Sequence, residues 1–279
     1  MIPDPSGLTF NNDGTKMFVS GSTGAGVAEY TLSTAFDVST ASHVDTLSVS
    51  AQDTYPKGHA FNSDGTKMFV VGLTGKDVNE YTLSTGFDVS TASFVDSFSV
   101  SSQETAPVGI TFNTDGTKMF VIGHSGADVN EYTLSTGFDV STASYDSNFS
   151  VSSQEIYPSS VTFSNDGKKM FVIGINDDEV NEYSLSTGFD VSTASFVGNF
   201  SVSPGVPAPN CLAFNHVGTK MFVGDHLGKD INEYTLTTPF SIVDVSGEHS
   251  GDVIDTNSTT NYDTDVDVET VSYTHLTLP

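Results

Sequence analysis

The sequence predicts an all-β fold, a β-propeller of at least five four-stranded blades with a 51-residue repeat. Three observations carry this. Phe10, Phe61, Phe112, Phe163 and Phe214 stand 51 residues apart, as do Tyr30, Tyr81, Tyr132, Tyr183 and Tyr234, with no insertion or deletion between Pro5 and Phe240. A repeat of this size marks a solenoid, a propeller or an array. Each unit holds four short β-type runs joined by turn-forming residues, and the apolar content of those runs falls from the inner ones to the fourth. A β-solenoid is the alternative reading of the same repeat.

The third unit shows each element. Gly109 to Phe112 and Lys118 to Gly123 are predicted strands A and B, separated by Asn113-Thr114-Asp115-Gly116, whose Asp-Gly supplies the positive φ of a tight hairpin. Strand B is apolar on both faces at Met119, Phe120, Val121 and Ile122, as a strand covered by layers on both sides would be. Val129 to Ser135 is predicted strand C, with Tyr132 and Leu134 on one face and Glu131 and Thr133 on the other. Asn148 to Ser152 is predicted strand D, reached through Gly-Phe-Asp-Val-Ser-Thr-Ala-Ser, and it alternates polar with apolar as a half-solvated outer strand does.

The stretch P-x-G-h-x-F-N-x-D-G-T-K-M-F-V-x-G resembles the YVTN-type repeat of lactonase-like and surface-layer propellers, from Pro5 to about Phe240. Asp13-Gly14, Asp64-Gly65, Asp115-Gly116 and Asp166-Gly167 match that family's turn, whereas the fifth unit departs with Val217-Gly218. The resemblance implies a propeller and allows a lactonase-like activity.

Composition excludes several partners. Against 35 acidic residues stand 9 lysines and no arginine, a formal net charge of -26, so the chain repels polyanions and no nucleic-acid partner is expected. Its apolar runs, such as Met68 to Val71, are too short to insert in a membrane. An acidic chain without arginine suits a saline exterior, which suggests an extracellular, cell-surface or virion-surface location. The single cysteine, Cys211, has no intrachain partner and reads as a small buried thiol.

Residues repeated at equivalent positions read as structural. Lys16, Lys67, Lys118, Lys169 and Lys220 are expected to be solvated at the start of strand B, and Met17, Met68, Met119, Met170 and Met221 to pack between blades. Glu29, Glu80, Glu131, Glu182 and Glu233 form a further ring, but identical environments cannot separate two pKa values as acid-base catalysis requires. His43, His59, His124, His216, His226 and His249 read as loop residues without ligand roles, and no metal, cofactor or catalytic residue is assigned.

The preferred functional reading is a non-enzymatic binding or display propeller with a protein or glycan ligand; the alternative is a lactonase-like hydrolase. The D-A and B-C loops share one face and differ from unit to unit, while the A-B turns and C-D connections on the other face barely vary. Lys57, Lys76, His124, Asn176, His226 and Lys229 are therefore the expected binding residues. An enzyme would instead show non-equivalent polar residues converging on the central channel.

The propeller is expected to occupy 1-246, followed by an acidic segment at 247-270. There Asp263, Asp265, Asp267 and Glu269 alternate with Thr264, Val266 and Val268, without the glycine and glutamate spacing of an EF-hand calcium loop. Residues 271-279 read as a translated sequencing adapter, so the reading frame is expected to be truncated there and further blades to lie beyond either end.

Overall fold

The computed structural model describes residues 4-22, 24-203, 205-242 and 249-250, which form five antiparallel four-stranded sheets in a ring. Blade one comprises β1 (Gly7–Phe10), β2 (Lys16–Gly21), β3 (Gly26–Leu32) and β4 (Ala41–Ser48). Blade two follows with β5 (Pro56–Phe61), β6 (Lys67–Gly72), β7 (Asp77–Leu83) and β8 (Ala92–Ser99), and blade three with β9 (Pro107–Phe112), β10 (Lys118–Gly123), β11 (Asp128–Leu134) and β12 (Ala143–Ser150). Blade four is β13 (Pro158–Phe163), β14 (Lys169–Gly174), β15 (Glu179–Leu185) and β16 (Ala194–Ser201). Blade five is β17 (Pro209–Phe214), β18 (Lys220–Asp225), β19 (Asp230–Thr235) and the two-residue β20 (His249–Ser250). The expected acidic segment and adapter lie outside the described residues, apart from 249-250.

Each sheet is a meander in chain order, and the five first strands contact one another around the axis, as the burial gradient predicts. Blade-to-blade cores are aromatic. Phe120 of β10 lies 4.5 Å from Phe163 of the next blade and stacks on Phe189, and Met119 and Met170 are fully buried. The ring closes without a covalent link: Phe222 of blade five sits 4.5 Å from Phe10, and the Asn210 amide donates to the Pro5 carbonyl at 3.2 Å.

Strand D is longer than expected, starting at Ala143 instead of Asn148. A 3-10 turn, Val140–Thr142, capped by the Asp139 carboxylate, delivers the chain directly into the strand, and a bulge opposite Glu131 and Tyr132 breaks the alternation on which the shorter estimate rested. The same turn and bulge recur in blades one, two and four.

The lysine ring is engaged at its charged end, although the side chains stay partly exposed. Lys118 pairs with Glu131 and donates to the Phe189 carbonyl of the following blade at 2.8 Å, while the other Glu131 oxygen accepts from the Val191 backbone N–H at 2.9 Å. Lys16, Lys67 and Lys169 make the equivalent bonds to Phe87, Phe138 and Phe240, and Lys220 to Phe36 closes the ring at 3.0 Å. The acceptor carbonyls belong to phenylalanines held at positive φ, 51–58°, each ring lying over a turn glycine such as Gly116 at φ 71°. Glu131 is therefore buried although it lies on the polar face of strand C, because the next blade supplies its partners there. The fifth turn keeps the same backbone, Gly218 at φ 71°, with Asn215 taking the amide that Asp115 takes in blade three.

Candidate functional site

The first strands enclose a cavity of about 300 Å³ on the axis, lined by Ser6 to Phe10 with Asn12 and by parts of the matching stretches of the other four blades. The ring position of Thr9 carries Ala60, Thr111, Thr162 and Ala213 in the other blades, so this ring holds three threonines and two alanines. Among the described residues, no lysine, aspartate or glutamate lines it.

One part of the wall breaks the repeat. The column occupied by Leu8, Ile110, Val161 and Leu212 carries His59 in blade two, and the column of Val71, Ile122, Ile173 and Gly224 carries Ser20 in blade one. The two exceptions meet across the blade interface: His59 Nδ1 lies 2.8 Å from Ser20 Oγ, and His59 Nε2 lies 2.8 Å from Thr9 Oγ1. Ser20 Oγ also donates to the Lys57 carbonyl. Burial alone drives the His59 pKa down to about 3, so the ring is neutral. Sequence reasoning placed His59 in a loop; its signal was the lone polar side chain in an otherwise aliphatic column.

At the A-B turns, a second cavity of about 210 Å³ shares Phe10, Asn12, Thr162 and Phe214 with the first and is bordered by Asn165 and His216. Turn residues link around the axis, Asn12 donating to the Ser63 carbonyl at 2.7 Å and Asn165 to the His216 carbonyl at 2.8 Å. His216 is exposed and replaces the Asn12, Ser63, Thr114 and Asn165 of the other turns. The face whose loops barely vary thus departs from its pattern in the fifth turn, at His216 and Val217, beside the channel mouth.

The six residues expected to bind ligand lie on the opposite face. Lys57 is half-buried with its ammonium 4.9 Å from the Tyr55 ring centroid, and burial lowers its pKa. His124 packs edge-on against Tyr157 at 6.0 Å; its pKa is lowered by burial first and by the Lys57 charge second, so these two residues are brought together. The others are spread over three B-C loops, Lys76 in blade two, Asn176 in blade four, and His226 with Lys229 in blade five. Lys76 donates its amide to the Gly72 carbonyl at 3.3 Å, Asn176 bonds Asp177 at 2.7 Å, His226 donates its amide to the Ala208 carbonyl at 2.9 Å, and Lys229 lies 3.9 Å from Asp4. These loops are stitched by buried acids: Glu104 accepts from the Ala106 and Ser125 amides at 2.6 and 3.2 Å with one oxygen and from Gly126 with the other. No group of three metal-ligating side chains occurs among the described residues.

No family model and no curated protein sequence matches the chain. Its structure is similar to that of a functionally unknown protein from Desulfotomaculum acetoxidans, at 18% identity and a TM-score of 0.53 over 88% of this chain and 72% of that one. It is also similar to a protein from Bacteroides fragilis assigned as a 6-phosphogluconolactonase, at 15% identity and a TM-score of 0.53 over 91% and 71%. A third neighbour is a periplasmic gluconolactonase from Pseudomonas aeruginosa, at 16% identity and a TM-score of 0.50 over 83% and 66%. At these identities the shared property is the propeller fold.

The expectation of a non-enzymatic binding or display propeller, contacting its ligand through the D-A and B-C loops, is overturned. Both of the neighbours described above that carry a functional name are lactonases, and non-equivalent polar residues of the kind expected of an enzyme converge on the channel. The alternative, a lactonase-like hydrolase, is the better supported reading.

Proposed function

We propose that this propeller is a lactonase-like hydrolase acting on a small uncharged cyclic ester in the axial cavity. The observation that carries the reading is the symmetry-breaking set on the channel, Thr9 with His59 in the wall and His216 at the mouth, in a ring otherwise built of near-identical units. A cavity of about 300 Å³ is at the lower end of small-molecule sites. The absence of charged side chains from the described lining favours a neutral lactone, because a phosphorylated or anionic one would be desolvated there without a counter-charge.

In this reading His216 takes a proton from water as the water oxygen bonds to the lactone carbonyl carbon. The ring C–O bond then breaks, and the proton passes to the departing alkoxide to leave a hydroxy acid. The Asn12 and Asn165 side chains border the same space and hold the turns that frame it. The repeat motif supports a place among YVTN-type propellers, and the periplasmic neighbour supports an exported protein; no helix among the described residues is long and apolar enough to cross a membrane.

The test is acid release from neutral γ- and δ-lactones by the purified protein. Turnover above the buffer rate is expected, falling about a hundredfold in kcat in His216→Ala. Absence of turnover on every neutral lactone would overturn the reading.

A further inference from the structure

The hydrogen-bond chain at the first blade interface has only one consistent assignment of protons. The Lys57 carbonyl can only accept, so the single Ser20 hydroxyl proton goes to it. The contact between Ser20 Oγ and His59 Nδ1 must then be donated by the ring, which fixes the Nδ1–H form. In a neutral imidazole Nε2 is left with a lone pair, and the Thr9 hydroxyl must donate to it.

Thr9 Oγ1 has thereby spent its proton on the wall and keeps only acceptor capacity toward the cavity that it lines. Thr111 and Thr162 occupy the same ring position, but the column of His59 gives them Val161 and Leu212 from the following blades. Four interfaces fill these two columns with apolar or small residues, so the fold does not require the polar pair of the first interface. A near-fivefold ring cannot orient an asymmetric molecule by itself; one hydroxyl of fixed polarity can.

We propose that Thr9 is the specificity-determining residue of the axial cavity, held as an acceptor by His59 and Ser20, and that it selects an uncharged, hydroxyl-bearing ligand whose O–H donates to Thr9 Oγ1. His59 and Ser20 are positioning residues in this scheme. The proposal rests on the axial cavity being where the substrate of the proposed hydrolase binds.

The probe is D-glucono-δ-lactam, a neutral polyhydroxylated ring resistant to lactone hydrolysis, titrated into isotope-labelled protein while ring nitrogen shifts report the His59 tautomer. A neutral Nδ1–H ring is expected. Affinity should fall about tenfold in Thr9→Val and in His59→Leu, the latter introducing the residue already present as Leu8 and Leu212, and should be retained in Thr9→Ser. An Nε2–H or protonated ring at neutral pH, unchanged affinity in Thr9→Val, or no binding of the lactam would overturn the proposal. Lactam binding as described without lactone turnover would sink the hydrolase reading alone. Lactone turnover with the same KM in wild type and Thr9→Val would sink this proposal alone.

Discussion

Asp225 and Glu155 perform the same task in successive blades from different places in the chain. Asp225 Oδ1 accepts from the Leu227 amide at 2.9 Å, and Glu155 Oε2 accepts from the Asn176 amide, which stands at the same position of the preceding B-C loop, at 3.4 Å. Glu155 reaches that point from the D-A loop, and its carboxyl lies where a side chain on Gly174 would begin. In blade five the acid sits at the end of strand B itself, the glycine is gone, and buried Val206 replaces the loop acid. Blades two and three use the Glu155 arrangement, with Asp53 against Gly72 and Glu104 against Gly123.

The two arrangements should be interchangeable only as a pair. Gly174→Asp alone drives a carboxylate into Glu155, and Glu155→Val alone leaves the Tyr157 and Asn176 amides without their acceptor. Each single change should cost about 2 kcal/mol, and the double variant should recover most of one of them. Urea unfolding of the four proteins measures this; strictly additive losses would refute the equivalence.

The Lys118–Glu131 clamp gives a second prediction. Lys118→Met leaves Glu131 buried with its charge uncompensated and the Phe189 carbonyl without its donor. The loss should be about 3 kcal/mol. Glu131→Gln keeps a hydrogen-bonding group of the same shape and should cost less. A double-mutant cycle with Glu131→Leu should show a coupling above about 1 kcal/mol. A coupling near zero would mean that phenylalanine packing alone holds adjacent blades together.

Charge yields a third. With a net charge of -26, long-range repulsion between exposed carboxylates opposes the compact state and is screened by salt, whereas the five partly buried clamps are screened much less. The thermal midpoint should rise between low salt and sea-water salt. A midpoint that is flat or falls would show that surface repulsion is a minor part of the stability.

The architecture was legible because a propeller writes its period into the chain: equal spacing of Phe10 to Phe214 and of Tyr30 to Tyr234 gave the blades, and two-faced burial of strand B gave their radial order. Contacts between units were not legible. Lys118 and Phe189 are 71 residues apart, so the clamp spans the repeat boundary, and a lysine at a strand start read locally as solvated. The same holds for the site. His59 and Ser20 are each unremarkable in their own unit, and their meaning comes from two adjacent columns departing from aliphatic residues together across one interface. Loop variation pointed to the opposite face, where buried acids turn the variable loops into a stitched rim.

His59 also makes stability depend on pH in a way that isolates it. Its folded-state pKa is depressed from 6.5 to about 3, so the unfolded chain takes up a proton as the pH falls through 6.5 while the native ring stays neutral. The stability associated with neutral His59 is complete above pH 6.5 and is lost progressively as the pH falls toward 3. In that window wild type should lose roughly 1.4 kcal/mol more per pH unit than His59→Leu, the linkage slope for one proton. Asp13, Asp64, Asp115 and Asp166, whose pKa values are lowered by hydrogen bonds from their own turns, act in the same direction at lower pH but are present in both proteins. Burial raises the Glu155 pKa and makes it act in the opposite direction, again in both. Urea unfolding of the two proteins at pH 7, 5.5 and 4.5 should therefore give profiles that diverge as the pH falls. Parallel profiles would mean that the ring gains a proton inside the fold, and with it that Nε2 is no longer the acceptor for Thr9.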